Sequence, residues 1–264
     1  MDFNLFQVDA FTDSPFSGNP AAVALVDSFT SSERLQEIAA EMNLSETAFP
    51  MRRADGSWDL RWFTPTTEVD LCGHATLATA HVLFERAMVN DDPVVFHTRS
   101  GQLTCRPSDA GYTMEFPASP PTSIEPVHGL AEALGVTVAE CAQDFDVLAL
   151  LESPQTVLNL QPDLDALAKI ETRAVIVTAE GDIDGGRADF VSRVFCPRFG
   201  VPEDPVTGSS HCILGPWRGH RLSKSDLHAH QVSPRGGRMT VRLHGPTVLL
   251  EGQAITVFEA YLKV

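Results

Sequence analysis

The stretch RWFTPTTEVDLCGHATLATAHVLFERA, residues 61–87, indicates how the chain folds. Its first residues end a strand-like segment at a proline, and a short acidic loop follows. A glycine then precedes a run of helix formers whose small and apolar side chains cover nearly the whole helix surface. The pattern predicts a strand, a loop and a central helix that is buried on almost every side.

The same pattern occurs a second time. RWFTP at residues 61–65 returns as RVFCP at 193–197, and CGH at 72–74 aligns with TGS at 207–209 if the second copy has three extra loop residues. Each copy has the order strand, acidic loop with proline, glycine and helix. An internal duplication of this kind predicts two pseudo-equivalent domains that face each other across a cleft.

Domain boundaries follow from the segment PASPPTSIEP, residues 117–126, which interrupts all periodicity. We predict domains at 1–116 and 117–264, and the last strand can pack back on the first domain. Strands outnumber helices in both halves, which predicts an α+β fold. Smaller elements of the second half include a helix over TVAECAQ (137–143) and a strand over TVLNL (156–160).

The composition restricts the possible functions. The chain has 264 residues, 43% of them hydrophobic, and a formal net charge of -16, which repels nucleic-acid phosphates and anionic lipids. It has no apolar run of the roughly 18–20 residues that a bilayer requires, and acids stand where a secretion signal has a basic region. We expect a cytoplasmic protein without nucleic-acid or membrane partners.

The glycines that head the two predicted helices are candidate binding residues. Gly73, before His74, and Gly208, before Ser209, lie where unpaired backbone N–H groups and the helix dipole attract an anion. Either glycine alone is explained more simply by a tight turn. At matched positions of two similar domains, they favour a site that holds a small carboxylate.

Glu46, in SETAF at 45–49, is a candidate acid/base because no Lys or Arg lies nearer than Arg52. A desolvated carboxylate holds its proton more tightly, which suits a group that takes and returns protons. An exposed glutamate at a strand end is the alternative. His74, in the first turn of its helix, is expected to be neutral because the dipole disfavours an imidazolium, and Asp204 is either its partner or a turn residue.

The five cysteines are odd in number, widely spaced and without a C-x-x-C pair, which argues against disulfides and structural zinc. No metal site is predicted. Cys72 precedes a helix N-terminus, where a thiolate is stabilised, so a thiol-based racemase is a rival interpretation. Thr207 occupies the matching position in the second copy, and its hydroxyl is too weak an acid to replace a second thiol.

Four ordered segments resemble the phenazine-biosynthesis PhzF-like isomerase family: FSGNPAAV (16–23), SETAF (45–49), EVDLCGHAT (68–76) and EDPVTGSS (203–210). The resemblance implies a diaminopimelate-epimerase fold, in which two similar domains are each a β-roll around one central helix. It also implies an active site between the domains, no cofactor, and a homodimer. Members of known activity isomerise a small unsaturated cyclic acid by moving a proton between carbons.

The resemblance also implies roles for individual residues. Glu46 resembles the general acid/base, and His74 and Asp204 resemble the polar pair that positions the substrate. The carboxylate-binding positions correspond to Gly73, Gly208 and Ser209. A cysteine-dependent racemase or epimerase and a non-catalytic binding protein of the same fold remain alternatives.

One departure concerns the second central helix. Gly215-Pro216 interrupts a segment that this fold keeps long, so we predict that the helix is short or broken.

Overall fold

The computed structural model describes residues 2–89, 93–183 and 185–263. The chain divides into two compact units, Met1–Phe116 with Leu250–Val264, and Pro117–Leu249. Strands outnumber helices in both units, which confirms the α+β fold class. None of the helices in the described ranges is long and apolar enough to cross a membrane.

The first unit combines helices and strands from both ends of the chain. In chain order its elements are β1 (Asp2–Ala10), β2 (Asn19–Leu25), α1 (Ser32–Met42), β3 (Glu46–Arg52), β4 (Trp58–Phe63), β5 (Glu68–Val69), α2 (Gly73–Glu85), β6 (Val94–Thr98), β7 (Gly101–Ser108) and β8 (Gly111–Pro117), and later β18 (Ala254–Lys263). β1 is an inner strand because β2 and β18 pair with it on opposite edges, both antiparallel.

The second unit contains the remaining elements. They are β9 (Thr122–Ile124), α3 (Leu130–Leu134), β10 (Glu140–Gln143), β11 (Val147–Leu150), α4 (Pro154–Leu158), α5 (Leu164–Leu167), β12 (Val175–Glu180), β13 (Phe190–Cys196), a 3-10 turn (Pro197–Phe199), β14 (Val201–Asp204), α6 (Gly208–Leu222), β15 (Asp226–Gln231), β16 (Gly237–His244) and β17 (Thr247–Gly252).

The two units repeat one strand order. In the first, β2 is parallel to β3, β3 is antiparallel to β4, and β4 is antiparallel to β5 and parallel to β6. In the second, β11 is parallel to β12, β12 is antiparallel to β13, and β13 is antiparallel to β14 and parallel to β15. A helix follows the short strand, β5 or β14, in each case. α2 and α6 are therefore equivalent elements, as the repeated motif predicts.

Helix α2 is buried nearly all round, as its composition predicts. It packs against β1, β2, β3 and β18, and every residue from His74 to Ala80 is buried. The side chains on this helix are mostly small or apolar, so close packing on several sides removes apolar surface from water.

The prediction of a short or broken second helix is wrong, because α6 runs unbroken for 15 residues with Pro216 inside it. Pro216 has no N–H to donate to the carbonyl of Cys212 one turn earlier. The backbone N–H of Ser119 donates to that carbonyl instead, at 2.9 Å. The carbonyl that proline would leave unpaired is thus satisfied from the segment preceding β9.

Glycines allow α6 to lie close to β16. A Cβ atom at Gly215 would come within 2.7 Å of a methyl carbon of Val241, and one at Gly219 within 2.5 Å of a methyl carbon of Leu243. These are closer than non-bonded carbon atoms approach. Gly215 therefore marks a close contact between helix and sheet, where the sequence suggested only an interruption.

Two of the smaller predictions are also wrong. Residues 140–143 of the predicted helix form β10, which pairs with β9 and β11, so sheet pairing overrides the helix propensity of the segment. The predicted strand at 156–160 lies mostly in α4, which starts earlier, at Pro154. The Ser153 side chain caps this helix and proline occupies its first turn, two favourable N-terminal features.

Candidate active site

The first unit brings together three polar side chains at the start of α2. Glu46 is the first residue of β3 and lies beside Ala21 of the parallel strand β2. Asn19 begins β2 directly after Gly18, which has φ +66°. A Cβ at Gly18 would lie 2.2 Å from the carbonyl oxygen of Ala10, so only glycine allows this turn.

His74 is the centre of this cluster. Its Nε2 lies 3.0 Å from Oε2 of Glu46, and its Nδ1 lies 3.2 Å from Nδ2 of Asn19 and 3.6 Å from Sγ of Cys72. The side chain of His74 is 7% exposed and that of Glu46 is 18% exposed. The carboxylate is thus held against the imidazole at one oxygen while part of the group stays accessible.

Burial and two neighbouring groups determine the pKa of His74. Burial by itself acts to lower the pKa of His74, but the neighbouring Cys72 and the carboxylate of Glu46 raise it, and the net pKa lies well above the ordinary value. This direction is opposite to the expected effect of the helix dipole on the ring. A carboxylate at 3.0 Å acts on the imidazole more strongly than the partial charge of a helix terminus does.

Cys72 is a buried thiol. Burial, with a smaller contribution from the negative charge of Glu46, raises the pKa of Cys72 to about 11. The thiol form therefore predominates at neutral pH, against the expectation that the helix N-terminus would favour a thiolate. A mechanism that uses the thiolate of Cys72 would require this thiol to ionise despite its raised pKa.

The ligand-type atoms of Glu46, Cys72 and His74 lie within 4.8 Å of one another. The imidazole uses different ring nitrogens toward the two neighbours, Nε2 toward the carboxylate and Nδ1 toward the thiol. One ion can bind only one ring nitrogen of a given histidine, so a metal ion at this cluster would use either Nε2 or Nδ1 and leave the other nitrogen uncoordinated.

In the second unit, the start of α6 is arranged differently. The hydroxyl of Thr207 donates to the carboxylate of Asp204, and Gln231 both accepts from the backbone N–H of Thr207 at 2.9 Å and donates to the carbonyl of Asp204 at 2.8 Å. Asp204 therefore braces the loop that leads into Gly208 and Ser209.

Both central helices have N-termini without the usual side-chain cap. Cys72 and Thr207 are the N-cap residues, and neither side chain bonds to the first turn, whereas Ser31 caps α1. Helix N-termini that are not capped by the protein are available to an external anion. Gly73 and Gly208 stand at the two positions.

The structure thus places Glu46, Gly73 and His74 together in the first unit, and Asp204, Gly208 and Ser209 around one helix start in the second. Sequence reasoning missed Asn19, although it lies inside the quoted FSGNPAAV segment. It also missed Asp146 and Arg173, which contact the start of α6. No short motif marks these two, since they meet only through the parallel pairing of β11 and β12.

Comparison with known proteins identifies the family to which the chain is similar. The family model described as phenazine biosynthesis-like protein, PhzC-PhzF, matches residues 8–260. An uncharacterized isomerase of Pseudomonas aeruginosa, PA2770, is 48% identical over 255 residues, which cover 96% of each chain. A second uncharacterized isomerase of the same organism, PA3578, is 46% identical over 268 residues, which cover 100% of each chain.

Solved structures show the same fold. A PhzF family protein of Enterococcus faecalis superposes with a TM-score of 0.96 at 40% identity, over 100% of both chains. A hydroxyproline epimerase of Agrobacterium vitis, solved with bound trans-4-hydroxy-L-proline, has a TM-score of 0.63 at 13% identity and covers 99% of this chain and 92% of its own. The predicted epimerase-type fold is confirmed.

Proposed function

Since the chain belongs to the phenazine biosynthesis-like protein family, we propose that it is a cofactor-independent isomerase that moves a proton on a small carboxylate-bearing substrate. The observation that supports this most directly is the contact of 3.0 Å between Glu46 and His74. A buried histidine beside a partly accessible carboxylate is a common arrangement for general acid/base chemistry.

Glu46 is the proposed proton carrier. Its Oε2 is buried against His74, while 18% of the side chain remains exposed. In the proposed step, Glu46 accepts a proton from one substrate carbon, and the electron pair of the broken C–H bond moves into the unsaturated system of the substrate. Glu46 then returns the proton to another carbon, so the substrate is neither oxidised nor reduced overall.

His74 is the proposed partner of this carboxylate. Its raised pKa favours a positively charged imidazole, whose Nε2 lies 3.0 Å from Oε2 of Glu46. On the other side of the ring, Nδ2 of Asn19 lies 3.2 Å from Nδ1. His74 is therefore proposed to hold the proton carrier in position.

The substrate carboxylate is the proposed ligand of the helix N-termini. We assign this role to Gly73 in the first unit and to Gly208 and Ser209 in the second, with Asp204 supporting the second group. The family resemblance extends the proposal to a homodimer. A small unsaturated cyclic acid is the substrate class that the resemblance favours.

Hydrogen–deuterium exchange tests the proposal. The protein is incubated in D2O with a panel of small unsaturated carboxylic acids, and deuterium incorporation is followed by NMR. We expect wild type to label at least one acid and Glu46→Gln to be at least about 10²-fold slower, the usual contribution of a general acid/base.

The matched control is Glu41→Gln, which removes an exposed glutamate from α1. It should label the acid at the wild-type rate. Equal rates for Glu46→Gln and Glu41→Gln would reject Glu46 as the proton carrier, and a wild-type protein that labels none of the acids would favour a binding protein.

A further inference from the structure

Arg173 lies beside the start of α6, in the segment that precedes β12. Its Nε donates to Oδ1 of Asp146 at 2.8 Å and its Nη2 donates to Oδ2 at 2.5 Å. The same Nη2 donates to the hydroxyl oxygen of Ser209 at 3.0 Å. Asp146 is fully buried, whereas 44% of the Arg173 side chain is exposed. A buried acid thus anchors an arginine that reaches the first turn of the helix.

The strand order places this group near the same end of the equivalent strands as the proposed proton-transfer residues of the first unit. Asp146 directly precedes β11, as Asn19 begins the equivalent strand β2. Arg173 precedes β12 by two residues, and Glu46 begins the equivalent β3. Ser209 aligns with His74. Around the start of the central helix, one unit therefore has an amide, an acid and an imidazole, and the other has an acid, a guanidinium and a hydroxyl.

A guanidinium is an unexpected group at this place. The positive end of a helix dipole disfavours a cation near the N-terminus, and the buried carboxylate of Asp146 offsets this by holding Arg173 with two hydrogen bonds. Because 44% of the Arg173 side chain remains exposed, its guanidinium can also act on a group at the helix start. The position of Arg173 is explained if the helix start binds a further negative charge.

The hydrogen bond from Arg173 also determines what the Ser209 hydroxyl can do. A hydroxyl has one hydrogen to donate and two lone pairs that accept. Because Arg173 donates to the oxygen, the hydrogen of Ser209 is directed away from the guanidinium, and it has no acceptor among the described residues. The hydroxyl is therefore oriented as a donor toward the space at the helix start.

We infer that Arg173, anchored by Asp146, is a positioning residue that holds the Ser209 hydroxyl as a hydrogen-bond donor to the substrate carboxylate. The inference rests on the proposed function, which assigns Gly208 and Ser209 to the carboxylate. It adds that the second unit selects for a negatively charged group. A neutral amide of the same shape lacks the charge that strengthens these hydrogen bonds.

A double-mutant cycle on carboxylate binding tests this role. The dissociation constant of benzoate, an unreactive ring carboxylate, is measured by titration calorimetry for wild type, Arg173→Gln, Ser209→Ala and the double variant. We expect Arg173→Gln to weaken benzoate binding at least about fivefold when Ser209 is present, and less than about twofold when it is replaced. Benzamide should bind equally to wild type and Arg173→Gln.

Two controls separate positioning from charge and from folding. Arg198→Gln removes another exposed arginine of the same unit and should leave benzoate binding unchanged. Because Arg173→Gln leaves a buried carboxylate without its cation, the variant Asp146→Asn/Arg173→Gln repeats the cycle with a neutral pair. Thermal unfolding of each variant confirms the folded state.

An equal loss of benzoate affinity with and without the Ser209 hydroxyl overturns the positioning role, and so does an unchanged affinity in Arg173→Gln. Absence of benzoate binding by wild type also overturns it. None of these results depends on Glu46, whose part in proton transfer is judged separately by deuterium exchange.

Discussion

Arg61 and Arg193 stand at equivalent positions of the two repeats and have closely similar surroundings. Arg61 forms a paired contact with Glu68, and Arg193 forms one with Glu203, each with a shortest distance of 2.7 Å. Each guanidinium also lies about 5 Å from the ring of the phenylalanine two residues later, at 5.1 Å and 5.0 Å. The two arginines therefore make the same contacts with an acid and a phenylalanine in both repeats, and we call them the framework arginines.

The starts of the helices have diverged instead. In the first unit, the carboxylate of Glu46 meets the imidazole of His74, which can exchange a proton. In the second, the guanidinium of Arg173 meets the hydroxyl of Ser209, and neither group exchanges protons readily near neutral pH. The comparison suggests a division of labour, with proton transfer in one repeat and recognition of negative charge in the other.

The largest difference that we predict concerns the two framework arginines. The Arg193 side chain is 8% exposed, and besides Glu203 it donates to the carbonyls of Val157, Leu158 and Leu160. Arg193→Met leaves a carboxylate and these carbonyls without a donor, so it should lower the free energy of unfolding by about 4 kcal/mol. Urea titration measures the change.

Arg61→Met is the matched variant and should lower the free energy of unfolding by only about 2 kcal/mol. Glu68 keeps a second cation, because Arg99 lies 2.7 Å from it, and Arg61 is more exposed, at 19%. Equal losses for the two variants would show that the extra carbonyl contacts of Arg193 contribute nothing measurable.

The second prediction compares the equivalent positions 74 and 209. His74→Ala removes the imidazole beside the proposed proton carrier and should lower kcat about 100-fold, equivalent to about 2.7 kcal/mol of barrier. Ser209→Ala removes a donor to the carboxylate and should raise KM about tenfold with kcat within about threefold. Steady-state exchange with the acid that wild type labels fastest separates the two constants. If both variants change kcat alone or KM alone, the two repeats do not have the separate roles proposed for them.

The repeat itself was readable from sequence because its members are local. The Arg, Phe and Pro of each copy, the offset of three loop residues and the buried helix all lie within about 30 residues, and the strand order confirms their equivalence. Glu46 and His74 lie in separate motifs, and their contact depends on β2 pairing with β3 and on α2 packing against both.

Two of the wrong predictions for secondary structure have a common physical cause. In both cases, contacts with a segment distant in sequence override the local preference of the chain. Pro216 predicts a helix break, but the N–H of Ser119 satisfies the carbonyl that the proline leaves free. Residues 140–143 have fair helix propensity, but β9 and β11 pair with them on both edges. Arg173 and Asp146 escaped notice because only the fold brings them to Ser209.

The third prediction uses a second pair of equivalent residues, Thr76 and His211. Thr76 donates to the carbonyl of the N-cap residue Cys72 at 2.6 Å, and the Nδ1 of His211 lies 2.8 Å from the carbonyl of Thr207. Burial lowers the pKa of His211 to about 4, against a smaller opposing effect of this hydrogen bond. The ring is therefore neutral in the folded protein near pH 7.

Between pH 6.5 and about 4, the unfolded chain binds a proton at His211 and the folded chain does not, so His211 makes stability fall as the pH falls. His211→Thr should reduce the loss of unfolding free energy between pH 7 and pH 5 by about 2 kcal/mol. Urea titrations at both pH values measure this loss. An unchanged pH dependence would contradict a neutral, buried His211.

His74 should act in the opposite sense. Its pKa is raised in the folded protein, so its contribution to stability is fully present below pH 6.5 and is lost as the pH rises through the folded value. The two repeats thus carry buried histidines with opposite effects on acid stability. Measuring His211→Thr in a His74→Ala background keeps the two contributions apart.

The smallest effect is expected at Cys72, the residue on which the thiol-racemase alternative depends. With a pKa of about 11, only roughly one molecule in ten thousand holds a thiolate at pH 7, and the equivalent Thr207 already donates its hydroxyl to Asp204. Cys72→Ala should therefore change the exchange rate by less than about threefold, a fraction of 1 kcal/mol.

A thiol that abstracts the proton itself would give a different result, because its removal would abolish exchange as completely as loss of any general base. Cys72→Ala and Glu46→Gln therefore discriminate between the two chemistries when they are assayed with the same acid. A large loss at Cys72 with a small one at Glu46 would move the proton carrier from strand β3 to the N-cap of α2. The first repeat would then be the thiol half of a racemase whose second thiol has been replaced by Thr207.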